Sequence, residues 1–481
     1  MIPFPADRTP ADGVPFEAQL LDRLPPPWGQ DLLPELGRAW ADDAAPRRVV
    51  VVDDDPTGTQ TVAGAGLITA WEPDDLRWLL DRPERIGFVL TNSRAMGPSA
   101  AARANHDLGT RLRAAADRRG LELDVVSRSD STLRGHFPIE LQALAAGLGQ
   151  PDRRTLVVPF FAEGGRITIN GTHYVGDGDR FVPAADTPFA RDPSFGYTRS
   201  SLPAWIEEKT AGTTRAGDVT VIDLGLIRTG GVDGVARRLA AVEPGRYVTA
   251  DAVVPADLAV VVAAVRRTEA AGIRWHHRSA AGLIAPLAGI RSADPIDPPP
   301  PAGTAGGLVV IGSHVPLSSD QLAALARRPG VRQIEVDARA IAAPTTASAE
   351  LARAITTATG AIADGLLTVV HTSRTLITGD DAEASLAIAG RVASGLCRLV
   401  AAMPRPAYLV AKGGITSHTL AVDGLSARRA RVLGPIVPGV PMWEMDEGTR
   451  FPGLPYVVFP GNVGGPDSLV EVVDRLESSR R

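Results

Sequence analysis

The sequence predicts an α/β protein with two domains, in which each domain is a mostly parallel sheet flanked by helices. Three observations lead to this prediction. Short apolar runs rich in valine and isoleucine recur along the chain, each is followed by a longer segment with helical spacing, and the runs do not alternate with polar residues. Strands of that kind are buried on both faces, as in parallel sheets covered by helices.

The predicted elements follow the order strand, helix, strand in both halves of the chain. Among the predicted helices are 98–119, 256–271, 347–363 and 382–402. The predicted strands are 48–52, 86–91, 123–127, 155–159, 219–223 and 246–250 in the first half, and 308–312, 366–371, 407–411 and 456–459 in the second.

A proline-rich stretch, RSADPIDPPPPAGTAGG, separates the two halves. Proline fixes φ and lacks an amide hydrogen, so this stretch is expected to be an extended connector rather than a helix or a central strand. The resulting division is an N-terminal extension at 1–45, a first domain at 46–290, a connector at 291–306 and a second domain at 307–481.

Charge and composition exclude several classes of partner. The net charge of −5 provides no basic surface to attract nucleic acid or an anionic membrane. Cys397 is the only cysteine, which excludes an internal disulfide and fits a reducing compartment. No signal peptide or membrane span is predicted. We therefore expect a cytoplasmic enzyme or binding protein with small-molecule partners, and a homo-oligomer is compatible with this sequence.

Polar residues follow four predicted strands of the first half. In open parallel sheets, ligands bind at the carboxyl ends of the strands, so these segments are candidates for a site. The segments are DDDPTGTQ at 53–60, NSR at 92–94, RSDSTLRGH at 128–136 and PFFAEGGRITINGTHYV at 159–175.

The run of three aspartates has two interpretations. One carboxylate could cap the turn that follows the strand, which is a common structural use of aspartate. Three adjacent carboxylates repel one another and exceed what a cap needs, so the run also suggests a cation or a substrate hydroxyl nearby. We favour a functional role for the cluster.

Arginines and hydroxyl groups in the next two segments suggest binding of a sugar acid. Arg128 and Arg134 can each hold a carboxylate in a planar, two-pronged geometry, while Asp130 and its neighbouring hydroxyls suit sugar hydroxyl groups. Arg166, after two glycines, offers another anion contact. The alternative is an exposed first turn of a helix with ordinary ion pairs.

Glycine-containing loops follow three predicted strands of the second half: IGSH at 311–314, AKGGITSHT at 411–419 and FPGNVGG at 459–465. Loops of this kind can direct backbone N–H groups at a phosphate. A GxxxxGK[ST] motif is absent from the sequence, so a Walker-type nucleotide site is excluded, and no GxGxxG motif occurs in the setting of a dinucleotide-binding fold. The histidines have no metal-ligand spacing, and Lys412 could either neutralise phosphate or be a surface lysine.

In this order, the motifs DDDPTG, SDSTLRG, GGR, KGGITS and PGNVGG resemble those of the four-carbon acid sugar kinases, which use ATP to phosphorylate acids such as threonate and erythronate. The resemblance extends from about residue 48 to 475. It implies that the N-terminal domain receives the acid and the C-terminal domain receives ATP, with the active site in the cleft between them. Phosphoryl transfer further implies Mg²⁺ with the nucleotide.

The motifs and the resemblance together give three groups of site residues. The candidate catalytic residues are Asp54, Asp55 and Asp130, and the sequence does not choose among them. The expected substrate-binding residues are Thr57, Gly58, Arg128, Ser131, Thr132, Arg134, Gly135 and Arg166, and the expected nucleotide-binding residues are Ser313, Lys412, Gly413, Gly414, Ile415, Thr416, Gly461, Asn462 and Gly464.

Departures from the family pattern at Pro56, Arg128, Ile415 and the PGNVGG loop suggest a divergent branch. Two other functions remain open at this point. A non-catalytic regulatory protein would keep both binding sites without transferring phosphate. An aldolase or isomerase would need a metal triad or a Schiff-base lysine in the first domain, where no lysine precedes Lys209.

Overall fold

The computed structural model describes residues 21, 23–42, 46–178, 180–300, 303–375, 377 and 382–479. These residues form two compact units. The first unit contains the described residues up to Asp54, together with Arg85–Gly87 and Ser93–Ser292. The second unit contains Asp55–Glu84, Phe88–Asn92 and the described residues from Ala293 onward. Of the predicted N-terminal extension, residues 1–20, 22 and 43–45 lie outside the described residues.

Ten of the eighteen described strands coincide with the predicted apolar runs, and the other eight were not predicted. In chain order they are β1 Arg47–Asp53, β2 Gly66–Ile68, β3 Ile86–Leu90, β4 Glu122–Arg128, β5 Arg154–Val158, β6 Arg166–Ile169, β7 Thr172–Asp177, β8 Arg180–Pro183, β9 Thr220–Ile222, β10 Tyr247–Ala250, β11 Trp275–Ser279, β12 Leu308–Ile311, β13 Val331–Val336, β14 Leu367–Thr372, β15 Leu409–Lys412, β16 Arg429–Val437, β17 Val440–Met445 and β18 Pro455–Phe459.

Proline marks the start of several helices, because its missing amide hydrogen costs nothing in the first helical turn. In chain order the described helices are α1 Leu33–Asp42, α2 Pro73–Leu80, α3 Pro98–Asp117, α4 Ile139–Gly147, α5 Leu202–Lys209, α6 Gly231–Ala240, α7 Pro255–Ala270, α8 Ile284–Leu287, α9 Pro316–Ala326, α10 Ala338–Ala342, α11 Ala347–Ala363, α12 Ala382–Ala402, α13 Gly414–Thr419 and α14 Ser468–Ser478. No described helix is sufficiently long and apolar to cross a lipid bilayer.

In the first unit, the strands pair in parallel in the order β1, β4, β11, β5, β10, β9. Val49, Val50 and Val51 of β1 are completely buried, as expected for a strand covered on both faces. The carboxyl ends of β1, β4 and β11 therefore lie side by side, with Asp53 opposite Arg128 and Arg128 opposite Ser279. This edge brings together residues distant in the sequence.

A separate antiparallel sheet of β6, β7 and β8 also belongs to the first unit. The segment 159–175, which we interpreted as one polar strand exit, thus contains two strands of its own. Polar residues interrupt the apolar ones in both strands, RITI and THYVGD, which concealed the strands from a search for continuous apolar runs. Arg166 is the first residue of β6.

In the second unit, five strands pair in parallel in the order β13, β14, β12, β15, β18. The sheet continues from β18 with three antiparallel strands in the order β17, β16, β2. The predicted mixed α/β class, with mostly parallel strands flanked by helices, is confirmed. The parallel pairing places the ends of β12, β14, β15 and β18 at one edge, so the loops that follow them are neighbours.

Candidate active site

Arginines of the first unit bind the first two of the three consecutive aspartates. Arg128 donates from Nη1 to Asp53 Oδ1 at 3.0 Å, and Arg94 donates from Nη2 to Asp54 Oδ1 at 2.5 Å. Ser129 Oγ donates to Asp54 Oδ2 at 2.8 Å. Both carboxylates are buried. The guanidinium charges therefore offset the repulsion within the run.

Asp55 has a different environment, in the second unit. Its Oδ1 accepts hydrogen bonds from Thr57 N at 3.0 Å and Thr57 Oγ1 at 2.6 Å, which caps the short 3-10 turn Pro56–Thr59. The Asp55 Oδ2 atom lies close to Gly414: a Cβ atom added to Gly414 would be 2.5 Å from Asp55 Oδ2. Asp55 is half-buried. The predicted substrate residues Thr57 and Gly58 thus lie in the same unit as the glycine loop of Gly414.

Asp130 is tightly bound within its own loop. It accepts hydrogen bonds from Thr132 Oγ1 and, at 2.6 Å, from Arg134 Nε. Although burial alone would raise the pKa of Asp130, Arg134 and Arg94 hold this pKa well below its usual range. A carboxylate this strongly stabilised in its ionised form is a poor proton acceptor.

Gly135 is the point where several charged and polar groups converge. Its φ of +123° lies in a region that disfavours other residues. A Cβ atom there would lie 2.6 Å from Ser129 Oγ, 2.9 Å from Asp54 Oδ2 and 3.0 Å from Arg278 Nη2. The predicted glycine therefore allows the 129–135 loop to approach Asp54.

Arg166 is buried, with 8% of its surface exposed, and no ion pair or hydrogen bond to its side chain occurs among the described residues. Burial lowers its pKa, but the group remains a cation at neutral pH. Its guanidinium carbon lies 5.9 Å from the Phe189 ring, and that of Arg134 lies 5.1 Å from the same ring. A buried cation without a carboxylate partner needs an anion to offset its desolvation.

Several residues of this site were missed from the sequence. Arg278 donates from Nη1 to Ser127 Oγ at 2.8 Å and to Glu140 Oε2 at 3.2 Å, and Ser93 Oγ donates to Glu140. The sequence marks Arg94 only as part of the NSR strand exit. Arg278 lies in a strand whose residues are mostly polar, so the apolar-run criterion did not detect it.

His173 positions the Asp130 loop from the antiparallel sheet. It is completely buried, its Nε2 lies 2.8 Å from Ser131 O, and its Nδ1 lies 3.0 Å from Thr168 Oγ1. A neutral ring that donates from Nε2 and accepts at Nδ1 satisfies both contacts. The predicted substrate residue Ser131 is thus held through its carbonyl group.

Protonation of His173 should destabilise the folded protein in mild acid. Burial lowers its pKa from 6.5 to about 4, so the unfolded chain binds the proton more readily. The free energy of unfolding therefore decreases as the pH falls from 6.5 to about 4, by on the order of 3 kcal/mol for this residue. We expect His173→Gln, which does not titrate, to flatten the pH dependence of the urea midpoint in this range.

The exposed His106→Gln is the matched control and should keep the pH dependence of the natural protein. Equal pH dependence in His173→Gln and the natural protein would show that His173 contributes nothing to acid sensitivity.

The predicted nucleotide loops of the second unit contact one another. A Cβ atom at Gly413, whose φ is +112°, would lie 3.1 Å from Ser313 Cβ, and one at Gly461 would lie 3.2 Å from Ser313 Oγ. Ser318 Oγ lies 3.1 Å from Ser313 Oγ and 3.4 Å from Gly461 O. The exits of β12, β15 and β18 thus form one cluster around Ser313.

Lys412 is directed into the protein. It is completely buried, its Nζ donates to Pro460 O at 2.9 Å, and Nζ lies 4.0 Å from the centre of the Phe459 ring. Burial lowers its pKa to about 7. In this position the lysine joins the ends of β15 and β18.

The remaining predicted nucleotide residues lie in or beside the same loops. The Ile415 side chain is 61% exposed at the start of α13. Thr416 Oγ1 lies 3.4 Å from the Cβ position of Gly413, Asn462 is half-buried in the β18 exit, and Gly464 has a φ of +82°. The predicted nucleotide-binding residues of the second half therefore lie together around the three loops. The predicted site residues of the first half lie in the first unit, with the exception of Asp55, Thr57 and Gly58.

No group of three or more histidine, cysteine, aspartate or glutamate side chains that could hold a metal ion occurs in the described part of the chain. Magnesium commonly binds through substrate phosphates with only one or two carboxylates.

Two family models match the chain, one for each half. Residues 49–287 match a sugar-binding N-terminal domain, and residues 308–469 match a nucleotide-binding C-terminal domain. No curated protein matches the sequence.

Solved structures with the same fold include proteins from two bacteria. Haemophilus influenzae protein HI1011, assigned to the DUF1537 family, is 16% identical with a TM-score of 0.58, covering 89% of this chain and 100% of its own. A Salmonella typhimurium LT2 protein with the provisional name tRNA synthase is 17% identical with a TM-score of 0.64, covering 88% of this chain and 98% of its own. These similarities show the fold. Because the two family models span most of the sequence in this order, the chain belongs to the two-domain four-carbon acid sugar kinase family.

Proposed function

We propose that the protein is an ATP-dependent kinase that phosphorylates a hydroxyl group of a small, four-carbon sugar acid. The sugar-binding and nucleotide-binding domains of its family support this proposal. The observation that carries it is the division of the aspartate run: Asp53 and Asp54 are bound by arginines of the first unit, while Asp55 faces Gly414 in the nucleotide-binding domain. The run therefore supplies both a substrate framework and an acid beside the nucleotide loop.

Arg166 and Arg134 are the proposed anchors for the substrate carboxylate. Arg166 offers a buried guanidinium group with no acidic hydrogen-bond partner among the described residues. Arg134 is already paired with Asp130, so it contributes positive charge to the same region while fixing the loop. Ser131 and Thr132 supply hydroxyl groups beside them. Arginine is suited to a carboxylate because its planar fork can donate two parallel hydrogen bonds.

Asp55 is the proposed catalytic aspartate. Asp54 is bound by Arg94 and Ser129, and Asp130 is bound by Arg134 and Thr132, so both carboxylates are held in place by their partners. Asp55 is more exposed than Asp54, and its Oδ2 lies against the glycine loop. A carboxylate in this position can orient the acceptor hydroxyl and accept its proton.

The remaining catalysis is positioning and charge neutralisation, as expected for phosphoryl transfer. The loops around Ser313, Gly413 and Gly461 would hold the phosphates through backbone N–H groups. Mg²⁺, when bound with ATP, neutralises the phosphate charge. Gly414 keeps Asp55 close to these loops because it lacks a side chain.

Replacement of Gly414 by alanine should reduce turnover. The added Cβ atom would lie 2.5 Å from Asp55 Oδ2, and Asp55 is also held by Thr57, so the carboxylate must move. A displacement of about 1 Å in a reacting group can reduce the rate by about 100-fold. We expect kcat to decrease by roughly 10- to 100-fold, measured at saturating ATP and acid.

Gly360→Ala in α11 is the matched control, because a Cβ atom there has nothing within 4 Å. It should keep the natural kcat. An unchanged kcat in Gly414→Ala would contradict the assignment of Asp55.

The proposed function is tested by ADP release from ATP and Mg²⁺ across a panel of four-carbon sugar acids and their oxo derivatives. We expect turnover with at least one acid and a low background rate without it. If ATP and an acid both bind without turnover, the non-catalytic regulatory function is the better interpretation. If neither ATP nor any acid of the panel binds, the proposal is wrong.

A further inference from the structure

Arg374 lies at the edge of the second unit that carries the nucleotide loops. It follows β14 by two residues, and β14 is the parallel neighbour of β12, which Ser313 also follows by two residues. Its Nη2 donates to Ser313 O at 2.7 Å and to Ser319 Oγ at 2.8 Å, and its Nε donates to Ser319 Oγ at 3.2 Å. The guanidinium group is therefore fixed beside the cluster around Ser313.

The charge of Arg374 has no counterpart in the described part of the chain. None of its contacts there is with a carboxylate, and burial lowers its pKa without an opposing effect from an acid. Its Nη1 is shielded from solvent and has no hydrogen-bond partner among those residues. The Nδ1 atom of the neighbouring His314 is in the same condition. The unpartnered Nη1 atom of Arg374, shielded from solvent beside the Ser313 cluster, indicates a missing ligand.

Lys412 does not fill the role of a phosphate-binding cation in this arrangement. Its Nζ is bonded to Pro460 O and packed on Phe459, in the interior of the second unit. A nucleotide with two or three phosphates carries several negative charges, and backbone N–H groups supply only partial positive charge. If a side chain supplies a full positive charge at the loop cluster, that side chain belongs to another residue.

We propose that Arg374 binds the phosphate chain of the nucleotide through Nη1, while its Nη2 and Nε hold the Ser313 loop. This inference rests on the proposed nucleotide-dependent function and assigns a binding residue to it. Arginine suits both tasks because its donors point in several fixed directions in one plane. The Arg374 side chain thus contacts the Ser313 loop and the phosphate at the same time.

The test is the affinity of ATP, ADP and adenosine for the natural protein and for Arg374→Gln, measured by calorimetry. Loss of a charge-assisted hydrogen bond should weaken ATP and ADP binding by roughly 10- to 100-fold. Adenosine has no phosphate, so its affinity should not change. Arg332→Gln, at an exposed position of β13, is the matched control and should bind all three ligands normally.

Arg374→Lys keeps the charge but not the forked geometry, and it should lose less affinity for ADP than the glutamine variant. If Arg374→Gln does not fold, Arg374→Lys becomes the test variant. We then expect Arg374→Lys to bind ADP more weakly than the natural protein does and to bind adenosine with the same affinity. Equal loss of affinity for ADP and adenosine would mean a purely structural role and would overturn the proposal. An ADP affinity of the tested variant equal to that of the natural protein would also overturn the proposal. If the natural protein itself binds no nucleotide, the proposed function fails first, and this inference fails with it.

Discussion

Asp55→Asn should reduce kcat by about 1000-fold, within the range of contributions from general acid–base groups. Asparagine keeps an oxygen that can accept the hydrogen bonds from Thr57, so the turn at Pro56–Thr59 should form normally. It lacks the negative charge that orients the acceptor hydroxyl and accepts its proton. Because the variant retains the binding groups, the affinities for ATP and for the acid should change little. Steady-state ADP release and calorimetry together provide this comparison.

The control for this variant is Asp364→Asn, at the exposed end of α11, which should have natural kinetics. Asp54→Asn removes an acceptor of Arg94 and Ser129, so we expect it to impair folding or acid binding in addition to turnover. A kcat for Asp55→Asn close to that of the natural protein would show that another residue acts on the hydroxyl.

Arg166→Gln should raise the KM for the sugar acid by roughly 10- to 100-fold with a smaller change in kcat. The natural residue is a buried cation, and Asp130 and Arg134 are charged neighbours that affect its pKa. Replacement by a neutral side chain removes the charge that binds the substrate carboxylate. Initial rates over a range of acid concentrations, at saturating ATP, measure the effect.

A substrate without a carboxylate charge makes this test specific. The amide of the same acid should be a poor substrate for the natural protein. Arg166→Gln should not raise the KM for this amide further. Arg180→Gln, at an exposed position of β8, is the control variant and should keep the natural KM. If Arg166→Gln raises the KM for the acid and the KM for its amide by the same factor, the arginine does not contact the carboxylate.

The sequence predicted the parallel sheets well because their strands are continuous apolar runs. Val49–Val52 and Val309–Ile311 are buried, as expected for strands of a sheet covered on both faces. Trp275–Ser279 was not predicted, although it is a central strand of the first unit. Four of its five residues are polar or charged, and their burial depends on partners that only the folded chain supplies, such as Glu140 for Arg278.

For the candidate site, the motifs indicated which segments carry the chemistry but not how their charges pair. The three aspartates appear equivalent in the sequence. Their separation into Asp53 with Arg128, Asp54 with Arg94, and Asp55 against Gly414 depends on the sheet register and on loops up to several hundred residues apart. Local sequence patterns contain no information about such pairings.

The most direct test of the central claim is ³¹P NMR of the reaction mixture of protein, ATP, Mg²⁺ and an acid that supports ADP release. We expect a new phosphate-ester signal that is coupled to a proton of the acid, grows with ADP, and is nearly absent with Asp55→Asn. A spectrum that shows only inorganic phosphate and ADP, or unchanged ATP in the presence of a bound acid, would contradict phosphoryl transfer to the sugar acid.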